Sequence, residues 1–463
     1  MKASILLLAL LLGACAAPVA PPSPSPSVPA AWGPSTTGRA VDRPADWAGL
    51  LDTQLAALQQ EALRANADLQ LAALRIVQAQ RQAAVGGLRL SPAAGASMSA
   101  SRPLEQQASS RSVDVGGVQV PVSTAQGWSR SYGLSLSAGW ELDLWDRLAA
   151  TQRAAAAQVQ GAEADREAAR LLIRSQVAER YWSLAAADAQ QAPLQQLVAI
   201  GEQLLAVQRL RVQEGKLAPI EIDRAAASLQ AARSRLADLR ADRALQWQQL
   251  ALLIGRDPLN ADIALSAQLP AGDPARWALP PPGDVLERRP DLRRARSAVD
   301  AALARRAASQ AERYPRLSFS ASVSTGGGQS RDWLSQPLGS LAANLVVPLI
   351  DWRRLDLQRD LAQGELEIAA LQLRDTLRKA VAEVDSQVRE GERLREQQAA
   401  QLGRLQEAAA AERVARLRHE AGAIGRGELL QAQQARLEAE LGSTQLRLRA
   451  WLAQAALARA LAL

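Results

Sequence analysis

Cysteine and histidine are almost absent from this chain, with Cys15 and His419 as the single example of each. A structural zinc site needs about four such ligands, and Cys–His catalysis would require these two residues to form the pair. No other convergent set of catalytic side chains stands out in the sequence. We therefore predict neither an enzyme nor a binding site for a metal ion or another cofactor.

Aromatic residues are also scarce, since Phe, Trp and Tyr together make up 3% of the 463 residues. A compact α/β enzyme of this size would use more of them in its core. Ala, Leu, Arg, Glu and Gln dominate instead, which favours long helices packed closely side by side. The net charge is +7, but the charges alternate in sign along the helices. Because basic blocks and interleaved aromatic residues are missing, we expect no nucleic-acid partner.

The sequence also lacks a long apolar run and has only a short one, near the start of the chain. Lys2 precedes the run 5–12, which ends at Gly13-Ala14-Cys15. This order is typical of a secretory signal, and the run is too short to remain in a bilayer as a spanning helix. Residues 12–15 also resemble a bacterial lipobox, so we predict a signal peptide over 1–14 and lipidation of Cys15. Residues 15–45 are rich in Pro, Ser and Ala and are predicted to form an extended tether that does not pack.

The rest of the chain repeats itself. Asn66-Ala67-Asp68-Leu69 opens a helical pattern that ends at Pro92, and Arg289-Pro290-Asp291-Leu292 opens another that ends at Pro315. In both copies 24 residues separate the Asp from the Pro. Such self-similarity indicates two copies of one structural unit.

The spacing after each pair of strands indicates a long continuous helix. Trp145 is followed 70 residues later by Gly215, and Trp352 is followed 70 residues later by Gly422. Rigid spacing suits a helix, because one inserted residue would rotate every later side chain by about 100°. Each half is therefore predicted as a helix, two strands, a very long helix, a turn at Gly and a returning helix. Pro193 is expected to kink the first long helix.

These patterns define the predicted organisation of the chain. The first repeat spans 46–256, with strands near 88–102 and 128–143 and a helical hairpin over 144–256. Residues 257–283, rich in Pro, link the halves. The second repeat spans 284–463, with strands near 315–325 and 339–351 and a helical hairpin over 352–463.

The strands alternate strictly between apolar and small polar residues. In 131–142 the even positions are apolar or aromatic and the odd positions are Ser, Gly or Glu. Residues 316–324 alternate in the same way, Leu341, Ala343, Leu345, Val347 and Leu349 form another apolar row, and 94–100 form a weaker one. A soluble sandwich strand has this period of two, and so does a transmembrane β-barrel strand of about ten residues.

Four strands cannot close a barrel, and lipid does not tolerate open sheet edges. Three copies would supply about twelve strands, enough to surround an aqueous lumen. We therefore predict a homotrimer with a 12-stranded β-barrel, four strands per protomer, continued by a long α-helical coiled-coil barrel: an α+β membrane protein. Residues 102–128 and 325–339 would be its longer and shorter external loops.

Several stretches resemble the TolC-like outer-membrane efflux proteins, specifically the lipoprotein branch that works with RND drug pumps. The most specific are Gly139-Trp140-Glu141-Leu142-Asp143-Leu144-Trp145 and Leu286-Glu287-Arg288-Arg289-Pro290-Asp291-Leu292. Residues 347–351 and the turns at Gly215 and Gly422 support them. The resemblance implies a passive duct through the outer membrane and periplasm of a Gram-negative bacterium, with a periplasmic adaptor and an inner-membrane RND pump as partners.

The resemblance also implies where the periplasmic mouth lies. In related proteins acidic residues ring that opening six positions after the glycine, which here selects Glu221 and Glu428, with Asp223 nearby. The alternative is that these acids stabilise the first turn of the returning helices. Nine positions after the glycine, where some relatives carry Asp, this chain has Arg224 and Gln431. The basic residues considered as gate partners or adaptor contacts are Arg211, Lys216, Arg418 and Arg426.

Two other functions stay open at this point. One is the outer-membrane duct of a protein-exporting (type I) secretion system, which lipidation argues against. The other is a periplasmic coiled-coil scaffold or adaptor lipoprotein, which would have no need of the alternating strands. The expected cargo of the duct is small amphiphilic compounds. Trp140, Trp145 and Trp352 are expected where strands meet helices, either at the membrane interface or in local packing.

Overall fold

The computed structural model describes residues 31–32, 43–45, 47, 50, 52–101, 108–125, 131–259, 268–271, 274–327 and 337–463. The predicted signal peptide and Cys15 lie outside the described residues. The chain divides into two compact units: one contains 77–160 and 297–371, and the other contains 161–296, 372–463 and the described residues before 77. Within the described ranges, no helix is both long enough and apolar enough to cross a membrane.

The helices and strands run in a similar order in the two halves, and both halves contain short elements that were not predicted. In the first half these are β1 (Arg43–Pro44), α1 (Thr53–Ala65), α2 (Ala67–Gly87), β2 (Ala93–Ser101), β3 (Ala108–Val115), β4 (Val118–Ala125), β5 (Ser131–Leu142), α3 (Arg147–Gln213) and α4 (Ile220–Leu253). In the second half they are β6 (Trp277–Ala278), α5 (Pro282–Arg288), α6 (Pro290–Ala311), β7 (Arg316–Gly327), β8 (Leu338–Val346), α7 (Trp352–Glu420) and α8 (Arg426–Ala460).

Four strands of the first unit form one antiparallel sheet in the order β2-β5-β7-β8. Its register places Leu136 opposite Ala96 on one side and opposite Val323 on the other. Ala321 in turn lies opposite Leu341. Because side chains alternate along a strand, all four predicted apolar rows share one face of the sheet. Ser and Gly occupy most of the other face, where the hydroxyls of Ser322 and Ser340 lie 2.7 Å apart.

The apolar row of β8 is shorter than predicted. The strand ends at Val346, so Val347 and Leu349 lie beyond it. Pro348 lies two residues after the end of the strand, and proline cannot donate a hydrogen bond to a neighbouring strand. Leu349 and Ile350 are highly exposed, at 72% and 96%.

The predicted longer external loop contains a β-hairpin of its own. Strands β3 and β4 pair with each other in a separate two-stranded sheet, with Val115 opposite Val118. Gly116 and Gly117 form the two-residue connection with φ of +69° and +86°, a backbone conformation that Gly adopts without strain. Asp114 Oδ1 accepts a hydrogen bond from the Gly117 N–H at 2.8 Å. The prediction of residues 102–128 as an external loop did not include this hairpin, which spans 108–125 and whose Gly-Gly dipeptide is a hairpin signal.

The core of the second unit is built from the helices of both repeats. Tyr181, Trp182, Leu250 and Trp277 are at most 1% exposed, and Trp182 contacts Trp451 with ring centroids 5.7 Å apart. Burial of large aromatic side chains contributes strongly to stability. These buried aromatic side chains therefore lie where helices of both repeats meet.

Two segments pack more tightly than the sequence suggests. Within the expected tether, Trp32 is half-buried and its indole N–H donates to Pro280 O at 2.7 Å. Arg43–Pro44 pairs in parallel with Trp277–Ala278. The packed part of the chain therefore begins earlier than predicted. Pro193 lies inside α3 without ending it.

Candidate functional site at the turns of the two helical hairpins

The connections α3–α4 and α7–α8 turn in the same way. Gly215 and Gly422 have φ of +70° and +74°, a region that favours glycine. The Lys216 N–H donates to Arg211 O at 2.8 Å, and the Ala423 N–H donates to Arg418 O at 2.8 Å. These bonds satisfy carbonyls left open at the end of each long helix. The predicted turn glycines are therefore required by the backbone.

The three candidate acids lie in the first turns of the returning helices, as expected from their spacing. Glu221 and Asp223 belong to the first turn of α4, and Glu428 belongs to the first turn of α8. Neither helix has a side-chain cap, since Pro219 and Gly425 occupy the cap positions. The acids are thus well placed to stabilise the positive ends of the helix dipoles.

The acids differ in their partners. Glu221 is half-buried and accepts a hydrogen bond from Arg224 at 2.7 Å. Arg224 occupies the position where some relatives carry Asp, so here a cation neutralises the neighbouring Glu. Asp223 and Glu428 are exposed and have no ion-pair partner among the described residues. Asp223 and Glu428 are therefore more accessible to ions than Glu221 is.

The candidate cations make different contacts. Lys216 pairs with Glu214 at 2.9 Å within the first turn region. Arg211 and Arg418 are exposed, and their carbonyls belong to the turns. His419 Nδ1 lies 3.1 Å from Ile424 O, so the histidine is part of the second turn. Arg426 contacts the other hairpin, because its side chain donates to Gln203 Oε1 of α3 at 2.8 Å.

Next to this contact, α3 packs directly against α8. Leu194, Leu197 and Ile200 of α3 form a buried cluster with Leu430, Leu437 and Leu441 of α8. Gln203 and Arg426 continue this line of contact toward the turns. The two hairpins are therefore joined by apolar packing and, at the turn end, by one polar bond.

Sequence reasoning missed a charge cluster inside the second hairpin. The Glu412 side chain is 8% exposed, and it accepts bonds from Arg416 at 2.5 Å and from Arg436 at 2.6 Å. Arg436 also donates to Glu440 at 2.6 Å. Leu229, the residue 207 positions before Arg436, is buried in the first hairpin. Comparing the repeats position by position would have revealed this substitution of charge for apolar packing.

At the junction of strands and helices in the first unit, the three Trp residues have separate roles. The Trp145 N–H donates to Pro315 O at 2.9 Å, and its ring stacks on Tyr314 at 4.9 Å between centroids. Trp140 stacks on Phe319 and donates to Leu90 O at 3.0 Å. Trp352 lies beneath the Arg313 guanidinium, 5.2 Å from the ring centroid. Local packing thus accounts for Trp145, while Trp140 and Trp352 stay 37% and 43% exposed.

The geometry agrees with known proteins. Residues 58–256 and 282–463 match the family described as outer membrane efflux protein. The pyoverdine export outer membrane protein OpmQ of Pseudomonas aeruginosa is 29% identical over 454 residues, covering 96% of this chain and 93% of OpmQ. Outer membrane protein OprJ of the same species is 27% identical, covering 96% of this chain and 92% of OprJ.

Solved structures show the same fold. The outer-membrane channel OprN superposes with a TM-score of 0.81 at 22% identity, covering 96% of this chain and 98% of OprN. The CmeC outer membrane channel of Campylobacter jejuni gives 0.75 at 20% identity, covering 90% and 87%. These relatives are channel proteins and not enzymes. The chain belongs to the outer membrane efflux protein family, and it is an outer-membrane efflux duct of the TolC-like type.

Proposed function

We propose that three copies of this chain assemble into the duct, and the two open edges of the sheet carry this proposal. Strands β2 and β8 are the edges of the four-stranded sheet. One face of the sheet is apolar, and Met98 and Leu341 on it are 71% and 84% exposed. In lipid the edges must pair, because unpaired backbone groups are costly there. Three copies give twelve strands with every edge joined to that of a neighbour.

The duct is proposed to be passive, with small amphiphilic compounds as cargo. Two observations support this cargo class: OpmQ is named for pyoverdine export, and MdtQ of Escherichia coli, 26% identical over 350 residues, is named a putative multidrug resistance protein. Energy would come from an inner-membrane RND pump, which a periplasmic adaptor would join to the turns at Gly215 and Gly422. A signal peptide over 1–14 and lipidation at Cys15 would direct the chain to the outer membrane.

The periplasmic mouth is proposed to be lined by Glu221 and Glu428. Two such acids per protomer place six carboxylates around one opening of the trimer. A ring of carboxylates attracts cations and raises their local concentration. Arg426, bonded to Gln203 across the hairpins, is the proposed gate partner. Arg211, Lys216 and Arg418, which are exposed at the turns, are the proposed adaptor contacts.

The assembly is tested on the full-length protein purified in detergent. Native mass spectrometry should give a complex of three chains, and its insertion into a planar bilayer should produce discrete ion-conducting steps. A stable monomer, or a trimer that never conducts, would contradict the proposal. A variant with Gly339→Pro, on edge strand β8, should lower the yield of trimer, whereas Gly283→Pro, outside the sheet, should not.

A further inference from the structure

A buried apolar stripe of α3 ends in two arginines, of which Arg166 is exposed and Arg170 half-buried. Positions 166, 170, 173 and 177 follow at steps of four, three and four residues, which places them on one face of the helix. Ile173 and Val177 on this face are 3% and 0% exposed. Arg166 and Arg170 continue it with two guanidinium groups one turn apart. Like charges at this spacing destabilise a helix, so packing alone gives no reason for them.

The second repeat shows what packing alone requires at these positions. The residues 207 positions later are Leu373 and Leu377, which are 4% and 8% exposed. They are followed by the buried Ala380 and Val384, so the equivalent stripe of α7 is apolar throughout. The two arginines are therefore a departure that is confined to the first repeat.

A pocket of about 220 Å³ opens where these arginines face α1 and α2. Arg64, in the last turn of α1, contributes a third guanidinium. The remaining lining residues are uncharged: Leu63, Leu69, Gln70 and Ala73. The pocket thus combines three positive charges with walls that carry no negative charge.

The charges in the pocket are poorly neutralised. Arg170 donates to Glu167 at 3.1 Å, but Arg64 and Arg166 have no hydrogen-bond or ion-pair partner within the part of the chain that is described. Asp165, adjacent in sequence to Arg166, pairs instead with Arg294 at 2.6 Å. Two of the three guanidinium groups that line the pocket are therefore without a partner among the described residues.

We propose that this pocket binds a phosphate group through Arg64, Arg166 and Arg170. Guanidinium groups donate paired hydrogen bonds whose geometry matches phosphate oxygens. A phosphate carries up to two negative charges, which suits three cations better than a single carboxylate does. The volume lies below the roughly 300 Å³ at which pockets for drug-sized ligands begin, so the pocket selects a small anionic group. The phosphate is either free in solution or the headgroup of an anionic lipid.

The test uses the full-length protein and inorganic phosphate as the probe. Sodium phosphate is exchanged for sodium chloride at constant ionic strength while the thermal unfolding midpoint is recorded, because a ligand that binds only the folded state raises it. The double variant Arg166→Leu/Arg170→Leu copies the second repeat. It should weaken the apparent affinity for phosphate at least tenfold, with an unchanged or higher midpoint in chloride. The control Arg235→Gln/Arg240→Gln, on exposed positions of α4, should respond as the unaltered protein does.

A second arm separates the two sources of phosphate. The same proteins are placed in nanodiscs of phosphatidylcholine with or without phosphatidylglycerol. A free anion as ligand predicts a midpoint that rises with inorganic phosphate, and a lipid headgroup predicts one that rises with phosphatidylglycerol. Either rise must disappear in the double variant and persist in the control. If neither arm distinguishes the unaltered protein from the double variant, the proposal is wrong.

Discussion

Asn66 and Arg289 make the same hydrogen bond at equivalent positions of the two repeats. Asn66 Nδ2 donates to Leu253 O at 2.9 Å, and Arg289 Nη1 donates to Ala460 O at 2.8 Å. Leu253 and Ala460 are themselves 207 residues apart, each at the end of a returning helix. A side chain from the start of each repeat therefore satisfies a carbonyl at its end. The Arg-Pro-Asp stretch and its Asn-Ala-Asp counterpart serve one structural purpose.

Replacing Arg289 should destabilise the second unit. Its side chain is 9% exposed and also donates to Asp291 and Glu383, both at 2.7 Å. Burial lowers the pKa of Arg289, but the hydrogen bonds to these carboxylates outweigh burial and raise its pKa above the usual range. Arg289→Ala removes the ion-pair partner of Asp291 and leaves Glu383 with Arg459 at 4.0 Å. Because both carboxylates are partly exposed to solvent, the cost should be about 1–3 kcal/mol. Thermal unfolding in detergent measures this cost, and the exposed neighbour Arg288 provides the control Arg288→Ala. Equal midpoints for the two variants would contradict the assigned role.

Gly255→Ala should also destabilise the protein. Gly255 follows α4 with φ of +74°, and an added Cβ would lie 2.7 Å from Ala65 O. The backbone conformation alone costs a side chain about 1–2 kcal/mol, and the close contact adds to this. The control is Gly283→Ala, where a Cβ would meet open space inside helix α5. The thermal midpoint should fall for Gly255→Ala and stay or rise for the control; the reverse order would count against this geometry.

Stability should depend on the protonation of Tyr181 at alkaline pH. Burial, followed by the hydrogen bond to Asp52 and its charge, raises the pKa of Tyr181. The Tyr181 hydroxyl donates to Asp52 Oδ2 at 2.7 Å. Because the folded pKa exceeds the unfolded value of about 10, this contribution is complete below pH 10 and is lost as pH rises toward the folded pKa.

Tyr181→Phe should therefore lower stability at neutral pH by about 1.5–3 kcal/mol, the usual range for a hydrogen bond to a charged group. The difference from the unaltered protein should shrink as pH rises above about 10. Midpoints recorded from pH 7 to 11 test this. A difference that stays constant over the whole range would show that the hydroxyl contributes only through packing.

Removing the acids of the turns should change ion selectivity. Glu221→Ala/Glu428→Ala removes six carboxylates from the proposed trimer and keeps Asp223, so its preference for cations should fall. The reversal potential across a planar bilayer under a salt gradient reports this preference. Glu407→Ala, at an exposed position of α7, is the control and should keep the original potential. Unchanged selectivity of the double variant would remove both acids from the mouth.

Much of this fold was predictable because its signals are local and periodic. The alternation in β5 and the distance from Trp145 to Gly215 depend only on backbone geometry. The contact between Gln203 and Arg426 was not predictable, since no pattern in the sequence says which helices become neighbours. The burial of Glu412 was missed because one of its two partners, Arg436, lies on the other helix of the hairpin, whereas Arg416 lies four residues away on the same helix. The acids at the turns were located by spacing, and the i,i+3 spacing of Glu221 and Arg224 also allows their ion pair.

The serine-rich face of the sheet has a consequence for where compounds are discriminated. On that face of β5 and β7, the charged residues Glu141 and Arg316 both lie at the strand ends nearest the helices, and hydroxyls and glycines occupy the rest. In the proposed trimer a solute crossing this stretch exchanges water for hydroxyl groups and meets no fixed charge along most of each strand. Such a surface neither holds a solute nor rejects it by the sign of its charge. Selection between solutes then takes place at the helical end of the duct, and the sheet lets them leave without selecting among them.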